Sequence, residues 1–460
     1  MTPVLFSTLP LSKAMLANLK TLDYTAMTPI QQHSLPEILK GNDLIAQAKT
    51  GSGKTAAFGI GLLHRLDVTE FTTQALVICP TRELSDQVCN ELRRLARAIP
   101  NTKITALCGG KPMGGQLASL ECAPHIVVGT PGRLLKHLTK GSLRLNHLKT
   151  LVLDEADRML DMGFIDDIKT IIERVPKQRQ TLLFSATYPD EIKHISASVQ
   201  NQPIDVRVES RHEDSDIEQV FFEVEPENRI DALLKLLGQA QPESCIIFCN
   251  RKQQCNDVAR ELNARGIAAK ALHGDLDQKD RDRVFSQFCN QSCNILIATD
   301  VAARGLDIKD LPMVINFELS HDAEVHVHRI GRTGRAGARG HAYSLFQASE
   351  MPKVIAIENE CQQSLSFKQA SDIKADKDYR VKPEKITLEI NGGRKDKLRA
   401  GDILGALTAA KQIAGSDIGK IDRFERLSYV AVNSSKAALA LDLLNNDKIK
   451  GRIFKARRVK

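Results

Sequence analysis

Short apolar runs recur along most of the chain, each followed by a longer stretch of mixed polarity. Leu44-Ile45-Ala46, Ala75 to Cys79, Ile104 to Leu107, His125 to Val128, Thr150 to Leu153 and Thr181 to Phe184 are rich in Val, Ile and Leu and show little polar alternation. Such runs read as strands buried on both faces, with helical crossovers between them, so residues from about 40 to 205 predict a parallel sheet covered by helices. The rhythm restarts after the polar, acidic stretch Glu209 to Asp216, through Val220 to Val224, Cys245 to Cys249, Asn294 to Ala298, Met313 to Phe317 and His341 to Leu345. A second break lies near Ser371 to Lys385, where Lys, Asp and Pro dominate.

The last segment has a different pattern. It reads as strand Ile386 to Ile390, helix Asp402 to Gln412, strand Ile418 to Phe424, strand Leu427 to Val432, helix Ser435 to Asn446 and strand Arg452 to Val459. That β-α-β-β-α-β order is the split topology of ferredoxin-like and RNA-recognition folds. The expected boundaries are a first α/β domain at 1–208, a linker at 209–216, a second α/β domain at 217–370, a linker at 371–384 and a small domain at 385–460.

Bulk properties agree with several cores in one chain. A length of 460 residues exceeds one ordinary domain. The chain is 42% hydrophobic and 26% charged, and no apolar run approaches the roughly 18 to 20 residues of a membrane span. The start, Met1-Thr2-Pro3-Val4-Leu5-Phe6, lacks a basic segment followed by an apolar one, so no signal peptide is expected. Ten cysteines are scattered, several inside apolar runs, which suits buried thiols in a reducing cytoplasm. The spaced pairs Cys245/Cys249 and Cys289/Cys293 have no compact set of further ligands, so no metal cluster is expected.

Charge matters once it is located. The net charge is +8, but residues 380–460 hold 19 Lys and Arg against 9 Asp and Glu, leaving 45 against 47 in the rest. A basic module on a near-neutral body suits a polyanion, because neutralised phosphates release counterions. A solvated charged surface is the plain alternative.

Ala48-Lys49-Thr50-Gly51-Ser52-Gly53-Lys54-Thr55 follows the first apolar run and opens a helix-compatible stretch. Backbone N–H groups at Gly51, Ser52 and Gly53 can converge on phosphate, Lys54 can reach the outer phosphates of ATP, and Thr55 can ligate Mg2+. Ala48 stands at the first position of the usual glycine pattern. Asp154 and Glu155 end a strand, where a parallel sheet presents ligands. Asp154 can hold Mg2+ while Glu155 orients the attacking water; alone, the pair would read as an acidic helix start. Ser185-Ala186-Thr187 ends the next strand, so Ser185 and Thr187 can bond the acidic strand beside them or simply cap a helix. His328-Arg329-Ile330-Gly331-Arg332-Thr333-Gly334-Arg335 carries arginines suited to a phosphate clamp, or to a basic surface turn.

In this order, from about Phe6 to Phe346, the motifs resemble those of the DEAD-box RNA helicases. Tyr24-Thr25-Ala26-Met27-Thr28-Pro29-Ile30-Gln31 is similar to the family's adenine element, which implies that Gln31 bonds adenine and Phe6 stacks on it; Asp23 stands where Gly is usual. The resemblance implies two tandem RecA-like parallel-sheet domains. It assigns Asp307 to the ribose, Arg332 and Arg335 to the phosphates, and His328 to coupling. Thr81, Arg82, Gly110, Thr130, Arg133, Arg251 and Thr299 become contacts to the RNA backbone. Phosphate and 2'-OH contacts carry little base information, so specificity must come from elsewhere.

The run Asn391 to Leu407, with Asp417-Ile418-Gly419-Lys420-Ile421, is similar to the tail of DbpA-type bacterial helicases. That implies a 23S ribosomal RNA hairpin in pre-50S particles as partner, without membrane contact, and a monomer in the cytoplasm. Strand Ile386 to Ile390 has no aromatic residue and Leu427 to Val432 only Tyr429, so the sheet is a poor base-stacking platform. Arg394, Lys395, Lys397 and Arg399, with Lys455, Arg457 and Arg458, are the expected contacts instead. An ATP-gated RNA clamp without unwinding, and a DNA translocase, are the competing functions.

Overall fold

The computed structural model describes residues 4–48, 51–208, 217–303, 306, 308, 311–334, 339–361, 363–374, 383–409 and 411–459. The chain divides into two compact units, one holding a first parallel sheet, the other a second parallel sheet and a small antiparallel one.

The first sheet is built from β1 (Leu44–Gln47), β2 (Ala75–Ile78), β3 (Ile104–Leu107), β4 (Ile126–Gly129), β5 (Thr150–Asp154), β6 (Gln180–Ser185) and β7 (Ile204–Arg207), all parallel, in the order β3-β4-β2-β5-β6-β1-β7. Strands β2, β4, β5 and β6 are buried along their whole length, as unbroken apolar runs require when helices cover both faces. The apolar pattern missed β7. Its residues alternate in exposure at the sheet edge, and Pro203 just before it reads as a loop.

The second unit repeats the plan with β8 (Ile217–Glu223), β9 (Cys245–Phe248), β10 (Ala269–Leu272), β11 (Ile295–Ala298), β12 (Met313–Asn316), β13 (Gly340–Phe346) and β14 (Ser366–Gln369), in the order β10-β11-β9-β12-β13-β8-β14. Counted from the first strand of each sheet, the two orders are identical. Loops at equivalent places therefore sit at equivalent points of each sheet's carboxyl edge. Edge strand β14 is exposed at all four residues, which left no apolar signal.

The antiparallel sheet, β15 (Lys385–Ile390), β16 (Ile418–Arg423), β17 (Ser428–Asn433) and β18 (Ala456–Arg458), has the order β16-β17-β15-β18. Helices Ala400–Thr408 and Ala437–Asn446 pack on the face of Leu388, Ile390, Val430 and Val432. Two predicted elements are shorter than expected. The first helix spans Ala400–Thr408 rather than starting at Asp402 and reaching Gln412. The last strand starts at Ala456 because Lys450 and Gly451 take left-handed φ of 54° and 81° and Ile449 bridges to Arg452, turning the chain back first.

The other face of this sheet is not open. Thr387, Tyr429 and Ala431 are 1%, 1% and 0% exposed. Thr387 Oγ1 lies 2.7 Å from Ser292 Oγ, beyond the end of helix Gln278–Cys289, and Lys385 Nζ donates to Gln291 Oε1 at 3.1 Å. The small sheet thus packs on the second parallel-sheet domain within one unit.

Candidate nucleotide and nucleic-acid sites

In the first sheet the neighbours β5, β6 and β1 carry the acidic pair, the Ser-Ala-Thr turn and the glycine loop at their carboxyl ends. Three motifs far apart in sequence thus share one half of one edge, the place where open α/β sheets bind ligands.

The glycine loop leads into helix Lys54–His64. Gly53 is its N-cap at φ +97°, and a Cβ there would fall 2.5 Å from Gln31 Nε2, so both conformation and space demand glycine. Gln31 is buried; its Oε1 accepts the Thr28 N–H at 2.9 Å and its Nε2 donates to the Gly53 carbonyl at 3.1 Å, which ties the adenine-type element to the loop. Asp23 keeps the left-handed turn expected of glycine, at φ +63°, a conformation that Asp tolerates better than most residues. Phe6 is buried and meets Tyr24 edge-on at 6.1 Å. Lys54 Nζ donates to the Ala48 carbonyl at 2.8 Å, and Ser52 Oγ is buried without a hydrogen-bond partner among the described residues. Gly51 also has positive φ, at 88°, and Thr55 is partly exposed on the first turn.

Asp154 is 3% exposed, and burial pushes its carboxyl up to about 7 against the opposing pull of Lys54. Glu155 occupies the left-handed region at φ 54°, ψ 55°, a strained conformation for a long side chain and one that clusters at functional sites. Its Oε2 lies 3.3 Å from Arg158 Nη1, both side chains being almost wholly buried. Asp157 was not singled out from sequence, yet its Oδ2 accepts the N–H groups of Ala186 and Thr187 and the Thr187 hydroxyl, while its own N–H donates to Ser185 Oγ at 3.1 Å. Only the β5–β6 pairing reveals this contact.

On the other half of the edge, β2, β4 and β3 carry Thr81-Arg82, Thr130 to Arg133 and Gly109-Gly110. Thr81 caps its helix by accepting the Leu84 N–H, and Gly110 has φ +73° with the Arg82 guanidinium packed over it. Arg133 donates to the Lys111 carbonyl and to Gln116 Oε1.

In the second unit, Arg251 follows β9 and Thr299 follows β11, positions equivalent to those of Arg82 and Thr130 in the first. Arg251 is exposed and Thr299 buried. Arg329, which the sequence places only within the run of clamp arginines, is the hub between them. It is 1% exposed, pairs with both Asp300 oxygens at 2.6 and 2.8 Å, and donates to Asn250 Oδ1 and the Glu318 carbonyl. Arg332 is buried and His328 partly exposed. Arg335 and Asp307 lie outside the described residues, as do Lys49, Thr50 and residues 209–216.

In the small domain Arg394, Lys395, Lys397 and Arg399 are all exposed before helix Ala400–Thr408. Lys450 Nζ reaches the Lys397 carbonyl at 3.4 Å, so the loop of Lys448, Lys450 and Arg452 extends the same basic edge, which the sequence reading did not include. Lys395 pairs with Glu425 at 3.2 Å and Arg457 with Glu389 at 2.7 Å.

No helix of the described residues is long and apolar enough to cross a membrane. Residues 28–195 match the DEAD/DEAH box helicase family, 228–337 the helicase conserved C-terminal domain, and 387–458 the DbpA RNA binding domain. The chain is 52% identical over 459 residues to the ATP-dependent RNA helicase DbpA of Escherichia coli K12, covering 99% of both, and 37% identical over 471 residues to that of Bacillus subtilis 168, covering 98% of both. Among solved structures it is similar to S. cerevisiae Dbp5 bound to RNA and ADP BeF3, with a TM-score of 0.73 and 28% identity over 80% of this chain and 96% of that one. The chain is an enzyme of the DEAD-box ATP-dependent RNA helicase family, a DbpA-type member with two RecA-like domains and a C-terminal RNA-binding domain.

Proposed function

We propose that this helicase acts on a 23S ribosomal RNA hairpin during assembly of the large ribosomal subunit, as a monomer in the cytoplasm, with ATP and Mg2+. One observation carries the RNA assignment. The small domain hides the sheet face of Tyr429 while exposing the basic edge of Arg394, Lys395, Lys397, Arg399 and Lys450. Such an edge suits the phosphates and shape of a folded RNA rather than bases stacked on a sheet. Both DbpA relatives are ATP-dependent RNA helicases by name, which supports RNA as the substrate. None of the ten cysteines forms a disulfide and most are buried, which suits a reducing compartment.

For hydrolysis, the hard oxygen donors Thr55 and Asp154 suit Mg2+, which takes one or two protein ligands and completes its shell with phosphate and water. The dication would supply the charge that keeps buried Asp154 ionised and would neutralise the phosphates. Lys54 binds the outer phosphates, and Glu155 holds the attacking water. Ser185, Thr187 and Asp157 transmit the state of that site to the neighbouring strand, and His328 takes part in coupling on the second domain. By the resemblance, Gln31 and Phe6 select adenine, Asp307 meets the ribose, and Arg332 and Arg335 engage the phosphates when the second domain closes. Thr81, Arg82, Gly110, Thr130, Arg133, Arg251 and Thr299 hold the RNA backbone. Differential affinity of ATP and RNA for the closed state drives local strand separation.

The test is ATP turnover and displacement of a strand from a hairpin-tethered duplex, with 23S rRNA fragments at fixed salt. Neutralising Arg394, Lys395, Lys397 and Arg399 together should raise the RNA concentration needed for half-maximal turnover. Unchanged affinity would remove the basic edge from the account, and clamping without displacement would favour an ATP-gated clamp.

A further inference from the structure

Helix Met113–Leu120 buries one side chain, and it is an amide. Gln116 is 6% exposed, whereas Met113, Leu117 and Leu120 are only partly covered. A buried amide costs stability unless its polar atoms are bonded. Here Nε2 donates to the Cys108 carbonyl at 2.8 Å, and Oε1 accepts from Arg133 Nη1 at 3.2 Å and His137 Nε2 at 3.0 Å. A carbonyl only accepts and a guanidinium only donates, so these neighbours dictate the amide orientation and put the proton of a neutral His137 on Nε2. His137 Nδ1 then accepts from Ser142 Oγ at 2.9 Å. Burial, followed by the charges of Arg133 and Lys140, lowers the pKa of this fully buried imidazole and so favours its neutral form.

The partners of Gln116 belong to separate segments of the sheet edge. Cys108 leads into the Gly109-Gly110 turn. Arg133 and His137 lie one turn apart on helix Pro131–Thr139. Arg133 also donates to the Lys111 carbonyl at 3.0 Å, and Lys111 pairs with Asp86 at 2.7 Å on the helix that Arg82 begins. One amide therefore links the segments that follow β3 and β4 directly, and through Arg133 and Lys111 it reaches the helix that follows β2; all three carry candidate RNA contacts.

The geometry points to Gln116 and His137 as positioning residues for RNA: buried themselves, they hold Arg133 and the Gly109-Gly110 turn in one arrangement, so that the RNA backbone meets preorganised donors. This inference rests on the proposed role of Gly110 and Arg133 as RNA contacts.

The experiment measures binding of a labelled single-stranded oligouridylate to the full chain, with Mg2+ and a non-hydrolysable ATP analogue at fixed salt. Gln116→Leu and His137→Phe should each weaken binding about 10-fold, while His137→Gln, whose amide can donate where Nε2 did, keeps most of the affinity. Gln116→Leu should leave affinity for the ATP analogue without RNA close to wild type, and its thermal midpoint, lowered by the groups left unbonded, should stay well above the assay temperature. Adding it to Arg133→Ala should weaken binding by less than the two single losses combined, because only the hold on the Gly109-Gly110 turn is left to lose. Wild-type affinity in Gln116→Leu, full additivity in the double variant, or equal losses in His137→Gln and His137→Phe would overturn the positioning role. Wild-type affinity in Arg133→Ala would instead overturn the reading of the RNA track, and the inference with it.

Discussion

Asp157 holds Thr187 through a single carboxylate oxygen: Oδ2 accepts the Thr187 N–H at 3.0 Å and its hydroxyl at 3.3 Å. The contact joins the end of the acidic strand to the end of its neighbour while leaving Asp154 and Glu155 untouched. Thr187→Val removes the hydroxyl bond at nearly constant volume. Strand displacement should fall severalfold more than RNA-stimulated ATP turnover, because the hydrolytic groups stay in place. Equal losses in the two assays would show that the contact serves hydrolysis rather than coupling.

The ion pair of Glu155 with Arg158 leads to a second prediction. Glu155→Gln should bind ATP and RNA but lose turnover by about 100-fold or more, the scale expected for a group that orients or deprotonates a nucleophile. Removing one partner of a buried pair leaves the other charge uncompensated, at a cost of roughly 3 to 5 kcal/mol. Arg158→Met should therefore lower the unfolding midpoint of the first unit and also reduce kcat, since Glu155 loses its anchor. A normal kcat in Arg158→Met would show that backbone strain alone sets the carboxylate.

Tyr429 offers a test of the hidden sheet face. Its hydroxyl is buried with no hydrogen-bond partner among the described residues, and burial pushes its pKa upward. Tyr429→Phe should leave RNA affinity unchanged and stability equal or improved by up to about 1 kcal/mol, because an unsatisfied buried hydroxyl is removed. A loss of RNA affinity, read by titration with a 23S rRNA fragment, would mean that this ring does reach the RNA.

His326 makes the second unit acid-sensitive. The ring stacks on Phe221 at 5.6 Å, and burial, then the charge of Arg329, brings its pKa down to about 3. A depressed pKa on a base means that the fold favours the neutral form. As pH falls below about 6.5 the unfolded chain takes the proton first, so stability is full above that value and is lost toward pH 3. Between pH 7.5 and 5 this group should cost the unit roughly 2 kcal/mol, measured by hydrogen exchange at the β12 and β13 amides. His326→Gln should show a shallower dependence; the same slope as wild type would assign the acid sensitivity elsewhere.

Much of this protein was legible in its sequence because the signals are local. Unbroken Val, Ile and Leu runs mark strands buried on both faces, Gly51 and Gly53 mark a loop that only glycine can make, and the excess charge marks a basic C-terminal module. The weak elements were not legible for the same reason: β7 and β14 lie at sheet edges, where burial imposes no apolar run.

What tertiary structure alone decided is which distant residues meet. Strand order puts Asp154, Ser185 and the glycine loop that leads to Lys54 at the ends of three adjacent strands and separates them from Arg82, Arg133 and Gly110 on the other half of the same edge. Gln116 and His137 have no motif to announce them, and the motifs that contain Asp157 and Arg329 do not show which partners these two meet across strands. The burial of Tyr429 likewise follows from packing between domains. Periodicity reports how one segment faces the core; long-range pairing determines which chemistry stands side by side.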